Sequence, residues 1–151
     1  MKKANLLTNI LITGLIAGTL DILSAIFLLA GGNAAGVLKY IASGAFGQSA
    51  LVGGSEMIVW GLVLHYGIAL GWTADFFLLY PKLPFLRRNK WLNAAAYGVL
   101  VWALMNLVVL PLSNIAPQAF TASGVLKNMA ILVVCIGLPV ALLADRFYRN
   151  E

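Results

Sequence analysis

Asp21, His65 and Asn106 are the residues best placed to do chemistry in this chain, because each interrupts a long apolar run. Polar and ionisable groups are expensive in such surroundings, so their presence marks either a site or a deliberate contact. Asp21 lies nine residues before the end of its run at Ala30, His65 nine residues after Glu56, and Asn106 seven residues before Ser113. At 1.5 Å per helical residue, the first two sit roughly 13 Å, and the third roughly 10 Å, below one common boundary. Three helices therefore each bring a polar group to one layer. No Lys or Arg lies at that depth, so His65 is the natural partner of an ionised Asp21. Such a pair can share a proton, and Asn106 can hydrogen-bond either member.

Two chemistries fit this layer. One is a site for a proton, an ion or a small ligand. The other is a polar knot that holds three helices together, each bond contributing about 0.6–2 kcal/mol. Gly18 shares the Asp21 face, and Gly61, Ala69 and Thr73 extend the His65 face by helical spacing. With Cys135, the residues Gly18, Gly61 and Ala69 are the expected pocket lining. A metal held by Asp21, His65 and Cys135 is allowed by depth, but no spaced ligand motif stands behind it. No metal or other cofactor is expected, and no catalytic residues are assigned.

The elements that position these groups follow from composition. Hydrophobic residues make up 62% of the 151 and charged residues 10%, less than half the charged share of ordinary soluble domains. A 16.1 kDa domain has too little interior to hide that much apolar surface, so the expected solvent is lipid. Four stretches have the roughly 20 apolar residues a spanning helix needs: Leu6–Ala30, Met57–Tyr80, Trp91–Leu112 and Val125–Ala144. They lack the alternation of barrel strands. The expected fold is all-α, a single membrane domain formed by a four-helix bundle. The start, Met1-Lys2-Lys3 before an apolar run, resembles a signal peptide, but the run is long and contains Asp21. An uncleaved first span is the better reading.

Basic residues orient the bundle. Lys2, Lys3, Lys82, Arg87, Arg88, Lys90, Arg146 and Arg149 fall on one side of a four-span chain, leaving Lys39 and Lys127 on the other. Both termini are thus expected in the cytoplasm. The same clustering at the ends of apolar segments argues against a nucleic-acid surface despite the net charge of +5. Between the first two spans, the stretch Val37–Val52 is fairly apolar but carries two glycines and Gln48. It is expected as one interfacial or shallow re-entrant helix, with Leu38, Ile41, Ala42 and Ala45 on one face and Lys39 and Ser43 on another.

Helices in lipid associate through small residues and hydrogen bonds. Gly14 and Gly18, and Gly67 and Gly71, form GxxxG pairs suited to bundle packing or to a homo-oligomer face. Pro139 is expected to free the Cys135 carbonyl and kink the fourth span, while Pro111 ends the third. Asp75 is expected in an ion pair with the basic loop or Arg146. Asp145 is expected to be solvated or paired with a loop cation.

The segments GLIAGTLDI at Gly14–Ile22, SGAFGQSALVGG at Ser43–Gly54, LHYGIALGW at Leu64–Trp72 and ALMNLVVLPLS at Ala103–Ser113 carry a resemblance that covers most of the chain. It resembles a family of small, functionally uncharacterised four-helix bacterial inner-membrane proteins. The resemblance implies location in the bacterial cytoplasmic membrane and brings no activity or catalytic residues with it. Nothing favours an enzyme: there is no nucleophile–base motif, zinc signature or phosphate loop. The leading expectation is a non-enzymatic protein that binds a small or amphiphilic ligand in an outer-leaflet polar pocket, with membrane lipids as its surroundings. The alternatives are an oligomeric channel or proton-coupled transport subunit with an Asp21/His65 relay, and a purely structural knot in a membrane scaffold.

Overall fold

The structure, a computed structural model, describes residues 5–149; Lys2 and Lys3, used above for orientation, lie outside them. Four helices are long and apolar enough to cross a membrane: Leu6–Leu29, Ser55–Leu79, Lys90–Leu112 and Ala122–Arg149. The first is α1 (Leu6–Ser24) continued by a π turn, Ala25–Leu29. It is followed by two short helices, α2 (Ala34–Phe46) and α3 (Ser49–Val52), then by the long α4 (Ser55–Leu79). The third long helix runs as α5 (Lys90–Leu104), a π turn at Met105–Val109 and α6 (Leu110–Leu112). The fourth runs as α7 (Ala122–Leu132), a π turn at Val133–Gly137 and α8 (Leu138–Arg149). Among the described residues there are no strands.

Side-chain caps set several of the starts. The side-chain oxygens of Asn5, Asn33, Asn89 and Thr121 accept from the free N–H groups of the first turns of α1, α2, α5 and α7. Thr121 starts the fourth helix three residues earlier than expected, and α8 runs on past Ala144 to Arg149. Both proline sites are prepared by a π turn just upstream. Pro111 and Pro139 have no N–H to give the carbonyl four residues back. The ladder instead widens, Leu110 N–H bonding to the Met105 carbonyl and Leu138 N–H to that of Val133.

The inner faces recur every three or four residues. Thr13, Gly14, Ala17, Gly18 and Ile22 of α1 are buried, as are Gly61, His65, Ala69 and Thr73 of α4, and these two helices pack closely. Gly14 makes room for Leu70, and Gly18 for Tyr66 and Ala69, as GxxxG packing requires. The second pair does not do this. Gly67 and Gly71 are exposed, and a Cβ at either would meet open space. The α4 glycine that matters for packing is Gly61, where a Cβ would collide with the Leu38 backbone; this close approach lets α2 lie directly on α4.

On the other side of the bundle, Gly98 lies against Val133 and Gly137 against the Ala94 carbonyl, so α5 packs on the fourth helix. That helix and α1 also pack together, whereas α4 and α5 are not a closely packed pair. Their separation leaves a cleft, closed near the chain termini by an aromatic core that includes Phe76, Phe77, Tyr80, Tyr97 and Phe147.

The segment Val37–Val52 is not one helix. Gly47, at φ 73°, takes a conformation that side-chain-bearing residues avoid, and it separates α2 from α3. Ser43, expected on the polar face, is buried, its Oγ donating to the Tyr40 carbonyl at 2.6 Å. A hydroxyl that bonds its own helix backbone can turn inward without leaving an unmet donor.

Candidate functional site

The cleft between α4 and α5 widens into a cavity of about 380 Å³. Asp21 of α1 and His65 and Ala69 of α4 form part of its wall; Met105 and Val109 of a π turn and Ile136 of another face them across it. Gly44 and Ala45 at the end of α2 complete the wall with Ser113 and Ile115. Most of the lining is apolar, with Asp21 and His65 as its ionisable groups.

Asp21 and His65 thus reach one cavity, as their matched depths predicted, but they do not hydrogen-bond each other. His65 is 8% exposed, and its Nε2 lies 2.8 Å from the Gly18 carbonyl oxygen. A carbonyl only accepts, so Nε2 carries the proton, and Nδ1 is left to face other partners, as an acceptor in the neutral tautomer. The bond ties α4 to α1. Asp21 lies within electrostatic range of the imidazole, yet among the described residues its carboxylate has no hydrogen bond and no ion pair. One member of the pair is therefore engaged in holding the bundle, and the other is available to the cavity.

Asn106 does not join them. Its Nδ2 donates to the Trp102 carbonyl one turn back, at 2.9 Å, and it lines a second cavity of about 530 Å³ with Tyr40, Trp102, Gln118, Phe120 and Asn128. Leu110 and Ile115 line both cavities. Residue counting gave Asn106 a depth but not a direction, and the π turn at Met105–Val109, in which it lies, resets the helical phase on which face assignments depend. Of the expected pocket lining, Ala69 faces the first cavity. Gly18 contributes its carbonyl to His65, Gly61 is covered by Leu38, and the Cys135 thiol lies 3.2 Å from Ser24 Oγ. Among the described residues no three His, Cys, Asp or Glu side chains converge to hold a metal ion.

Two features of the site were not foreseen. Asn114, in the loop after α6, clasps the end of α2: its backbone N–H donates to the Gly44 carbonyl at 3.0 Å and its Nδ2 to that of Ala45 at 3.1 Å. Gly44 and Ala45 are thereby held over the first cavity. At the opposite end, Tyr97 O–H donates to the Trp72 carbonyl at 2.5 Å and its ring packs edge-on against Phe76, which shuts the cleft below Trp72. An asparagine in a loop and a tyrosine in an apolar helix have no sequence signal beyond their polarity.

The remaining acidic residues sit elsewhere. Asp75 is exposed and forms no ion pair among the described residues. Asp145 is neither solvated nor paired with a loop cation. It is 4% exposed and accepts from Tyr80 O–H at 2.7 Å and from Arg149 Nε at 2.9 Å. Burial, reinforced by that carboxylate, pushes the Tyr80 phenol up to about 12. Burial alone raises the Tyr40 phenol beside the second cavity above its usual value.

Compared with known proteins, the chain matches no protein-family model, no curated protein and no solved structure.

Proposed function

We propose that this chain is a four-span protein of the bacterial cytoplasmic membrane that binds a small or amphiphilic ligand in the first cavity. Its termini face the cytoplasm, and α2 and α3 lie at the outer boundary. The ligand's apolar part lies among Ile68, Met105, Val109 and Ile136, and its polar part meets Asp21 and Nδ1 of His65. It arrives from the outer leaflet between the second and third spans. The unpartnered carboxylate of Asp21, facing a mostly apolar cavity of about 380 Å³, carries the reading. Binding sites typically have that makeup, a concave apolar wall with few polar groups, and an amphiphile bearing an amine is the best match for Asp21. The basic residues at one end of the bundle support the orientation.

A proton relay through Asp21 and His65 to the cytoplasmic side is the second reading. The Tyr97–Trp72 bond and the Phe76 ring close the cleft on that side, which favours binding over passage.

The test uses protein in which Trp72 is the sole tryptophan, reconstituted in phosphatidylcholine and titrated with 12-bromododecylamine as a quencher. Saturable quenching is expected, and it should be lost with Ala45→Phe, which fills the cavity, and weakened with Asp21→Asn. Linear quenching that is identical in all three proteins would sink the binding reading. Proton uptake by the same vesicles, abolished by Asp21→Asn, would establish the relay instead.

A further inference from the structure

The second cavity has a chemistry of its own. Asn106 and Asn128 come to it from the third and fourth long helices, each six residues in from the helix end, a depth of about 9 Å. Nδ2 of Asn106 is used by Trp102, but its Oδ1 has no partner. The amides of Asn128 and Gln118 and the hydroxyl of Tyr40 form no hydrogen bond among the described residues. Asn106 and Asn128, unmet at that depth in lipid, would cost several kcal/mol each, so this wall is built to meet something, with Tyr40 of α2 and the exposed Gln118 of the loop at its rim. Its aromatic faces are Tyr40, Trp102 and Phe120, the last two edge to face at 6.4 Å. No charged side chain lines the cavity.

We propose that the second cavity is a binding site for an uncharged, hydroxyl-rich group, a sugar or polyol. Amides both donate and accept, which is what a hydroxyl asks of a partner, whereas a cavity without charge leaves an ion uncompensated. Aromatic rings with polar tips match a ligand that is apolar on its C–H face and polar at its rim. The group is either a free sugar or the head of a membrane lipid whose chains lie against Leu110 and Ile115. The proposal does not depend on the occupant of the first cavity.

Trp102 reports on this site. Protein with Trp102 as its sole tryptophan, in phosphatidylcholine nanodiscs, is titrated separately with glucose, myo-inositol and glucosyl diacylglycerol, with diacylglycerol as the sugar-free control. A saturable change in Trp102 emission is expected with a hydroxyl-rich probe and not with the control. A response to free glucose or inositol identifies a soluble ligand; a response to the glycolipid alone identifies a lipid head. Asn106→Leu with Asn128→Leu should weaken binding about tenfold or more, from two lost hydrogen bonds. Gln118→Ala, in a loop where helix packing is not at stake, should weaken it about threefold or more. Circular dichroism verifies that each variant is folded, and Asp21→Asn should bind as the parent does. No saturable response in folded protein, an equal response to diacylglycerol, or unchanged binding in both amide variants would overturn the proposal.

Discussion

His65 Nε2 donates to the Gly18 carbonyl at 2.8 Å, so the imidazole joins α4 to α1 beside the first cavity. Asp21, three residues further along α1, faces the same cavity with no bond of its own. Two residues that look equivalent by depth therefore differ in role. His65→Phe should destabilise the bundle by about 1 kcal/mol, the upper part of the range for interhelical hydrogen bonds in membranes. Asp21→Asn should leave stability within about 0.5 kcal/mol. Unfolding of both variants in detergent measures this, and the opposite ranking would reverse the assignment.

Gly61 and Gly67 make a second contrast on one helix. A methyl at Gly61 would collide with the Leu38 backbone, whereas one at Gly67 would meet open space. Gly61→Ala is expected to cost about 2 kcal/mol or more, as overpacking does when backbone rather than a flexible side chain must yield. Gly67→Ala should change stability by less than about 0.5 kcal/mol. Equal effects in thermal unfolding would argue that α2 does not rest on α4.

These contrasts show where the sequence was informative. The four long helices were legible because their apolar runs have the length and composition to cross a membrane, and the structure has them within a few residues of the expected ends. Asp21 and His65 came to one cavity because rise per residue alone gives depth. Facing was harder to read. Asn106 was misdirected by a π turn that no residue type announces, and Gly67 and Gly71 carried a packing pattern on a face that packs against nothing in this chain. Asp145 was assigned to water or to a loop cation because charge suggests exposure, but its partners, Tyr80 and Arg149, lie 65 and four residues away. The cap over the cavity depends on Asn114, which bonds residues about seventy positions distant.

The proposed orientation has its own test. Single cysteines at Ala35 and Arg88, in a Cys135→Ser background, should label with a membrane-impermeant maleimide from opposite faces of intact cells or oriented vesicles. Both positions are exposed and neither supplies a side-chain helix cap, unlike the neighbouring Asn33 and Asn89, whose replacement would remove a capping bond. Labelling of both from the same face would mean that α2 and α3 carry the chain across, and the four-span arrangement would fall.

The Tyr80–Asp145 contact predicts a dependence on alkaline pH. The neutral phenol donates to the carboxylate at 2.7 Å; once ionised it has no proton to give and sets a second negative charge beside the first. Burial and then the Asp145 carboxylate push the folded Tyr80 phenol up to about 12, from 10.0 for an ordinary phenol, so between those values the folded chain keeps a proton that the unfolded chain has lost. Stability then falls as pH rises. The contribution is complete below pH 10, declines between about 10 and about 12, and is gone above. Tyr80→Phe lacks the titrating group, while its Asp145 keeps Arg149 as a partner. At pH 7 the variant should be about 1.5–3 kcal/mol less stable than the parent, the range for a hydrogen bond to a charged group. That difference should shrink steadily from pH 10 to 12, other titrating groups being common to both proteins. Thermal unfolding of the pair in detergent across this interval measures it, and a difference that stays constant would show that the Tyr80 hydroxyl does not hold Asp145.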